Sequence, residues 1–342
     1  HETREWGGSL DVMGYAAADA TVSINDLPTI RQGEWFYVSV PLSNGTSSAE
    51  MDITALAVYN DGTQDVVADV SGTRFISART ETLTYDARGD LIEDSRFTYQ
   101  WDGWGRLITV ISKNASPNFK LEFAYYPDGQ RASKKVSEWN SGQWSVVREH
   151  QYIYNSWNLI YEKIIDHSTS ESIIRHYTWG LDLEGQRTGK LGQGAGGIGG
   201  LLAIIEETSS GEKTYFPVVD HNGSVSHLID ADTETISASF VYSPYGENVG
   251  VWGEAKDSCP FRWHGHYYDK ETETYYVKKR PVYDPRTGKF ASRDPIWEEG
   301  GINLYSYGRN NPISNIDPYG EAAYIAIHKK FHFTLIVELQ GG

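Results

Sequence analysis

The chain contains 342 residues, among them 34 glycines, 23 tyrosines and 11 tryptophans, and its formal net charge is −16. This acidic balance excludes a general nucleic-acid-binding protein, because phosphate binding requires a basic surface. A single cysteine, Cys259, excludes an internal disulfide framework and a CxxC metal site, and no apolar run reaches the ~18 residues of a membrane-spanning helix. The abundance of aromatic residues and glycines favours β-structure.

The first 78 residues are typical of a small β-sandwich. The segments TVSINDLPTI, EWFYVSVPL, MDITALAVYN and DVVADVSGTRFI are rich in β-branched and aromatic residues and are separated by Asn, Asp, Gly and Pro. Strands at this spacing, with turn signals between them, predict a sandwich. Since no catalytic constellation occurs there, we interpret residues 1–78 as a spacer or plug.

A degenerate repeat begins near residue 79. The segments LTYDARGDLIED, YQWDGWGRLITV, FAYYPDGQRASKKV, VVDHNGSVSHLID and FVYSPYGENVGV share the form aromatic-(Asp/Pro)-x-x-Gly-x-Leu. Asp86 and Gly89 bracket a tight turn, because Asp can bond the backbone and Gly can adopt positive φ. Tyr85 and Leu91 then pack on the sheet. Because one hairpin cannot bury its own apolar face, the repeats predict a long aromatic sheet that curls as its twist accumulates.

The repeats YDARGDLI and WDGWGRLI resemble the YD repeats of RHS proteins. The segment YYVKKRPVYDPRTGKFASRDPIWEEGGINLYSYGRNNPISNIDPYG resembles the RHS repeat-associated core that ends the repeat region. The resemblance implies an all-β fold in which a strip of hairpins forms a hollow β-shell around a C-terminal polypeptide, often a toxin. It divides the chain into the sandwich-like region (1–78), a YD-repeat shell segment (79–260), the core (261–320) and a variable tail (321–342).

The resemblance also implies partners and a location. We expect upstream RHS repeats in a longer protein, since the chain begins at His1 without a methionine, and a cargo that is the chain's own C-terminal segment or a toxin. We expect the protein to be secreted or in the cell envelope. The tail 321–342 is too short to fold unaided and is interpreted as truncated cargo or as a strand docked on the shell.

One glycine-rich stretch matches a nucleotide-binding pattern only superficially. Gly192, Gly194 and Gly197 satisfy GxGxxG, but no βαβ pattern surrounds them. We interpret the stretch as a flexible hinge before the apolar run 201–205, and we predict no cofactor.

Two histidine pairs have spacings that could contribute metal ligands. His328 and His332 are four residues apart, but their surroundings alternate like a strand and no third ligand is identifiable. His264 and His266 are expected on one face of a strand, where aromatic packing or hydrogen bonding is their favoured role. We therefore predict no metal site.

Asp-Pro occurs at Asp284, Asp294 and Asp317. By pattern alone these are turns, because proline forces the preceding residue into extended or turn geometry. RHS cores of this kind are intramolecular aspartyl proteases that cut after the DPxG element. By this resemblance Asp294 and Asp317 are the paired aspartates, Asp284 is structural, and Arg293 is a candidate to orient a carboxylate. Two adjacent carboxylates share one proton, so one activates water while the other donates the proton.

The bond that the resemblance places after DPxG joins Glu321 to Ala322. The family usually has Leu or Met before the scissile bond, so a charged residue replaces an apolar one here. Delivery of the peptide by its own fold gives a high effective molarity. The cut would be a single-turnover event, and no external substrate is expected.

Two other functions remain open. An adhesin or carbohydrate-binding module would expose rows of Tyr and Trp as stacking platforms for a surface glycan, whereas a shell buries them on its inner side. A glycosidase would need two carboxylates about 5 to 9 Å apart beside an open cleft, and the sequence identifies no such cleft.

Overall fold

The structure is a computed structural model that describes residues 2–45, 47–113, 117–187, 194–321 and 324–325. The fold is all-β, as predicted, and its helical turns are short 3-10 turns. Gly192, Ala322, His328 and His332 lie outside the described residues. Within the described ranges, no helix is both long and apolar enough to cross a membrane.

The N-terminal region contains two small sheets that pack face to face. One has the strand order β2-β6-β5 and the other β4-β3-β7-β8. Val22, Ile24, Phe36 and Val40 form the buried core between them, as the alternation of apolar and polar residues requires. The strands are β1 (Glu2–Glu5), β2 (Ser9–Tyr15), β3 (Thr21–Ile24), β4 (Leu27–Pro28), β5 (Ile30–Gln32), β6 (Trp35–Pro41), β7 (Ala49–Asn60) and β8 (Asp65–Ile76).

The predicted long sheet has 15 antiparallel strands in the order β1 followed by β9 to β22. Strand β1 precedes the sandwich in sequence but pairs with β9, from Glu2 opposite Leu83 to Glu5 opposite Thr80. The chain therefore leaves this sheet after β1, builds the sandwich and returns at β9. The strands are β9 (Thr80–Tyr85), β10 (Leu91–Glu93), β11 (Phe97–Trp101), β12 (Leu107–Ser112), β13 (Phe119–Tyr125), β14 (Arg131–Asn140), β15 (Gln143–Asn155), β16 (Asn158–Asp166), β17 (Glu171–Trp179), β18 (Leu201–Thr208), β19 (Gly211–Val219), β20 (Val225–Asp230), β21 (Ile236–Tyr242) and β22 (Asn248–Trp252).

The repeat motif forms the predicted turns. The Asp86 carboxylate accepts hydrogen bonds from the backbone N–H groups of Arg88 and Asp90, both at 2.9 Å, and Gly89 has φ +84°. In several repeats the aromatic residue at the end of one strand donates a side-chain hydrogen bond to a carbonyl of the preceding repeat, which locks neighbouring hairpins together. These bonds run from Trp101 to Leu91, from Tyr125 to Leu107, from Trp179 to Leu159 and from Tyr242 to Val225, at 2.6 to 2.7 Å.

The last described part of the chain forms a small four-stranded sheet and several tight loops. Its strands are β23 (Tyr267–Asp269), β24 (Thr274–Val277), β25 (Arg280–Asp284) and β26 (Lys289–Phe290), followed by the two-stranded pair β27 (Asn315–Ile316) and β28 (Tyr324–Ile325). The 3-10 turns are Trp263–Gly265, Trp297–Glu299 and Gly308–Asn310. The strand expected at His264 and His266 is wrong: His264 has φ +50°, so the chain turns there instead of extending.

This C-terminal part packs against the long sheet through apolar and ionic contacts. Phe261, Tyr267 and Tyr276 belong to one buried cluster with the sheet residues. In the interior, Arg131 on β14 contacts Asp269 at 2.8 Å. Because a buried charge without a partner is costly, such pairs fix the relative position of the two parts.

The sandwich reaches the C-terminal part as well. The guanidinium of Arg74, near the end of β8, contacts Glu273 at 2.9 Å and Glu247 at 3.3 Å. Arg96 on the loop before β11 contacts the same Glu273 at 3.0 Å. A shared carboxylate therefore joins the sandwich, the long sheet and the C-terminal part.

A pair of glycine substitutions tests the packing at the repeat turns. Gly129 (φ +91°) and Gly223 (φ +77°) occupy equivalent positions, but a β-carbon at Gly129 meets no atom within 4 Å, whereas one at Gly223 lies 2.8 Å from the backbone nitrogen of Gly199. Gly129→Ala should lower the free energy of unfolding by about 1 kcal/mol through backbone strain alone. Gly223→Ala should cost about 1 to 3 kcal/mol more, because backbone must move. Equal losses in chemical denaturation would contradict this packing.

Candidate functional site

A buried arginine lies at the centre of the candidate site. Arg280, the first residue of β25, is 1% exposed, and its Nη2 donates hydrogen bonds to the carbonyl oxygens of Ser292 and Leu304. Its Nη1 lies 3.6 Å from Oδ2 of Asp294, and its guanidinium lies 3.7 Å from the ring centre of Phe290. Burial lowers the pKa of Arg280 to about 10, while the charges of Asp294 and Asp317 oppose that shift, so the group is charged at neutral pH.

Asp294 is held in the loop that follows β26. Its backbone N–H donates to the carbonyl of Leu304 at 2.9 Å, and its Oδ1 accepts a hydrogen bond from the N–H of Ile296 at 3.0 Å. Burial raises the pKa of Asp294, the Ile296 N–H and Arg280 lower it, and the charge of Glu321 raises it. The side chain is fixed, close to a cation and largely shielded from water.

Asp317 closes the DPYG turn after β27. Its Oδ1 accepts hydrogen bonds from the backbone N–H groups of Gly320 at 2.8 Å and Glu321 at 3.1 Å. Burial raises the pKa of Asp317 to about 7; Arg280 opposes this rise, whereas the charge of Asp294 adds to it. The charge of Asp294 thus raises the pKa of Asp317, and both carboxyl groups act on the guanidinium of Arg280.

The residue before the expected cleavage point lies against both aspartates. Asp317 accepts the backbone N–H of Glu321, as described above. A β-carbon added at Gly300 would overlap Oδ2 of Asp294 and would lie 2.9 Å from the carbonyl oxygen of Glu321. The Asp294 carboxyl group and this carbonyl therefore border one small space, which the absence of a side chain at Gly300 leaves open.

A buried cluster of aromatic and histidine side chains contacts the backbone of Asp317. The hydroxyl oxygen of Tyr307 accepts the backbone N–H of Asp317 at 3.1 Å and also lies 2.8 Å from Nδ1 of His264 and 2.9 Å from Nε2 of His266. Burial lowers the pKa of His264 to about 3 and lowers that of His266 well below its usual value, so both imidazoles are neutral at neutral pH. Trp263 packs on the Tyr307 ring at 4.7 Å. These contacts fit the hydrogen-bonding and packing role expected for both histidines.

Arg293 contacts Tyr305 and the first repeat turn. Its Nε is 3.4 Å from the Tyr305 hydroxyl, and a β-carbon at Gly89 would collide with its guanidinium. It therefore contacts the first YD-repeat turn, while Arg280 contacts Asp294. Asp284 forms a two-point pair with Arg286, at 3.0 Å from Nε and 2.9 Å from Nη2.

Sequence reasoning missed three residues of this site: Lys279, Arg280 and Gly300. The signal for Arg280 was a charged residue at the start of RPVYD, a strand whose first four residues are buried. Lys279 directly precedes Arg280 in the sequence, and its Nζ contacts the Glu321 carboxylate at 2.5 Å. Gly300 had no sequence signal, because its role depends on two side chains from other loops.

The remaining candidate residues have structural contacts. Cys259 is buried, and its thiol donates to the Phe261 carbonyl at 3.0 Å. The described glycines of the GxGxxG stretch lie in turns, where Nζ of Lys278 donates to the carbonyl of Gly196 and a β-carbon at Gly197 would collide with Asn158. Among the described residues, no group of three His, Cys, Asp or Glu side chains could hold a metal ion.

Comparison with known proteins assigns the fold to a family. The family model described as Teneurin YD-shell matches residues 199–313. The chain is 30% identical over 257 residues to the tRNA3(Ser)-specific nuclease WapA of Bacillus spizizenii, an alignment that covers 73% of this chain and 10% of that protein. The chain belongs to the RHS/YD-repeat shell proteins.

Other relatives share the same shell region. The YD-repeat shell is 27% identical over 272 residues to the double-stranded DNA deaminase toxin A of Burkholderia cenocepacia, covering 75% of this chain and 18% of that protein. It superposes on the crystal structure of TcdB2-TccC3-Cdc42 with a TM-score of 0.56 at 17% identity, over 91% of this chain and 15% of that chain, which shows a shared fold. The chain thus spans about a tenth of the length of the first curated relatives it matches.

The raised pKa of Asp317 predicts a pH effect on stability. An aspartate in the unfolded chain titrates near pH 4, whereas Asp317 in the fold titrates near 7. Between these values the unfolded chain has lost the proton and the folded chain keeps it, so this group's contribution to the free energy of unfolding falls as pH rises, by up to about 4 kcal/mol. The melting temperature of Asp317→Asn relative to the unsubstituted chain should therefore increase from pH 5 to pH 8.

Asp284→Asn serves as the control for this measurement. Arg286 holds the pKa of Asp284 below its usual value despite burial, so Asp284 is ionised in both states above pH 5. The melting temperature of Asp284→Asn relative to the unsubstituted chain should stay constant from pH 5 to pH 8. If Asp317→Asn also gives a flat difference, Asp317 has no raised pKa in the fold.

Proposed function

We propose that this YD-repeat shell cuts its own backbone once, between Glu321 and Ala322, by aspartyl-type hydrolysis that frees the C-terminal segment. The observation that carries the proposal is the position of Glu321: its N–H is bound by Asp317, and its carbonyl oxygen borders the same space as the carboxyl group of Asp294. In this proposal the fold holds the Glu321 carbonyl beside Asp294 and the Glu321 N–H on Asp317, which replaces the binding of an external substrate.

The two carboxyl groups have unequal affinities for the shared proton. Burial raises the pKa of Asp317 to about 7, so this residue holds the proton in acidic to neutral solution. Asp294 lies 3.6 Å from the guanidinium of Arg280, which favours its ionised form. Asp294 is therefore the base that takes a proton from water, and Asp317 is the acid.

The proposed reaction balances as follows. Water loses a proton to Asp294 and adds its oxygen to the carbonyl carbon of Glu321; Nη1 and Nε of Arg280, which have no hydrogen-bond partner among the described residues, are donors available to the developing oxyanion. The C–N bond then breaks, and the amide nitrogen of Ala322 takes the proton of Asp317. The products are a carboxylic acid at residue 321 and an amine at residue 322, which ionise to a carboxylate and an ammonium, and the pair again holds one proton, now on Asp294.

The role we propose for the cut is to release a segment from a shell. We infer that the long sheet is the closing part of an enclosure built with upstream RHS repeats, that its cargo is the segment after residue 321, and that the protein acts outside the cell. Large aromatic side chains such as Tyr99, Tyr152 and Tyr177 are buried between the sheet and the C-terminal part. This burial favours a shell over a glycan-binding surface, which would display these rings.

Mass measurement of freshly made protein tests the cut. The full chain, 38.4 kDa, would be produced by cell-free translation and sampled over time by intact-mass spectrometry. The unsubstituted chain should lose residues 322–342, and Asp294→Asn and Asp317→Asn should each slow the loss by more than about a thousandfold, because a dyad needs both members.

Asp284→Asn is the matched control, since it changes another Asp-Pro aspartate that pairs with Arg286 instead of Arg280. It should cut at the rate of the unsubstituted chain, and circular dichroism should show that all variants fold. A chain that keeps its full mass under all conditions, or one cut equally fast without Asp294, would contradict the proposal.

A further inference from the structure

We propose that Lys279 determines the specificity of this self-cleavage by making an acidic residue acceptable before the scissile bond. The inference rests on the proposed self-cleavage and adds the chemical class of the residue at which the chain is cut. It follows from the side chain of Glu321, whose contact is separate from the backbone contacts that present the carbonyl.

Lys279 lies between β24 and β25, directly before the central Arg280. Its Nζ contacts Oε1 of Glu321 at 2.5 Å, and its backbone N–H donates to the carbonyl of Tyr319 at 3.2 Å. Lys279 thus binds the DPYG turn and the side chain of the residue that follows it. Because Arg280 is its neighbour in sequence, the same segment holds the carboxyl pair and the residue at the cut.

The Lys279–Glu321 ion pair offsets the repulsion between two carboxylates at the site. The carboxylate of Glu321 adds a negative charge beside Asp294, and like charges disfavour ionisation of a carboxyl group. In this fold Glu321 does raise the pKa of Asp294. The ammonium of Lys279 offsets that charge, so Asp294 can ionise and act as the base. Without Lys279, an acidic residue at 321 would suppress the base; with an apolar residue at 321, Lys279 would be unnecessary.

We expect the Lys279–Glu321 pair to affect the cleavage rate more than an ordinary surface ion pair would. The side chains of Lys279 and Glu321 are 32% and 21% exposed, and exposed pairs usually contribute little to stability. Here the backbones of both residues are already held, one by Tyr319 and the other by Asp317. The predicted effect is therefore on the cleavage rate, with little change in melting temperature.

A double-mutant cycle tests the proposal. Lys279→Met, Glu321→Leu and the double variant would be made by cell-free translation, and the rate of loss of residues 322–342 would be followed by intact mass. Lys279→Met should slow cleavage about tenfold, because the unpaired carboxylate of Glu321 would then disfavour the ionised form of Asp294. In the Glu321→Leu background the same substitution should change the rate by less than about twofold, and Lys279→Arg should keep the original rate.

Lys270→Met is the control, because Lys270 pairs with Asp257 at 3.1 Å on the surface of the same C-terminal part. If the unsubstituted chain is cut and Lys279→Met matches Lys270→Met, the specificity role is overturned while self-cleavage stands. An equal slowing by Lys279→Met in both backgrounds also overturns it, because the lysine would then act without regard to residue 321. If the unsubstituted chain is not cut, both proposals fail.

Discussion

The arrangement of the C-terminal part depends on the need to satisfy one buried guanidinium. Arg280 is almost wholly removed from water, and such a charge is tolerated only where acceptors surround it. The carbonyls of Ser292 and Leu304 are two of these acceptors, and Asp294 supplies the nearest negative charge. All three groups lie on the loop 291–304, whose ends are also joined by the hydrogen bond from the Asp294 N–H to the Leu304 carbonyl. The loop 291–304 therefore folds around Arg280, and this position places the Asp294 carboxyl group.

The second aspartate depends on the same cation in a different way. The charge of the Arg280 guanidinium opposes the rise in the pKa of Asp317, and the backbone N–H of Asp317 donates a hydrogen bond to the hydroxyl oxygen of the buried Tyr307. Its carboxyl group organises the turn at Gly320, whose β-carbon would collide with the side chain of Arg280. A glycine with φ +78° is thus required there by close approach as well as by backbone conformation. The DPYG element is both a turn and a support for the adjacent carbonyl.

Much of the fold could be predicted from local patterns. The Asp86–Gly89 turn and the curled sheet follow from the repeat, because turn chemistry and period-two alternation are local properties of the sequence. The pairing of β1 with β9 could not be predicted: ETRE has no apolar alternation, and its partner is separated from it by the whole sandwich. The turn at His264 was mistaken for a strand, since a non-glycine residue with positive φ leaves no signature in the sequence.

The site was less accessible to sequence reasoning. Asp294 and Asp317 could be selected by resemblance, whereas adjacency in sequence to Asp294 favoured Arg293 as the cation. In the fold, adjacent residues extend to opposite sides, and the guanidinium near Asp294 comes from Arg280 on another strand. Long-range contacts of this kind are decided by tertiary packing, which a single sequence does not display.

Hydrogen–deuterium exchange on Arg280→Met tests most directly whether this guanidinium assembles the site. Arg262→Met is the matched control, because Arg262 is another buried arginine, with Nε bonded to the Cys259 carbonyl at 2.9 Å, far in sequence from both aspartate loops. The account predicts faster amide exchange in peptides covering 292–304 and 317–321 for Arg280→Met, with the control changing neither. Unchanged exchange in both segments would contradict the claim that Arg280 holds the two aspartates in one site.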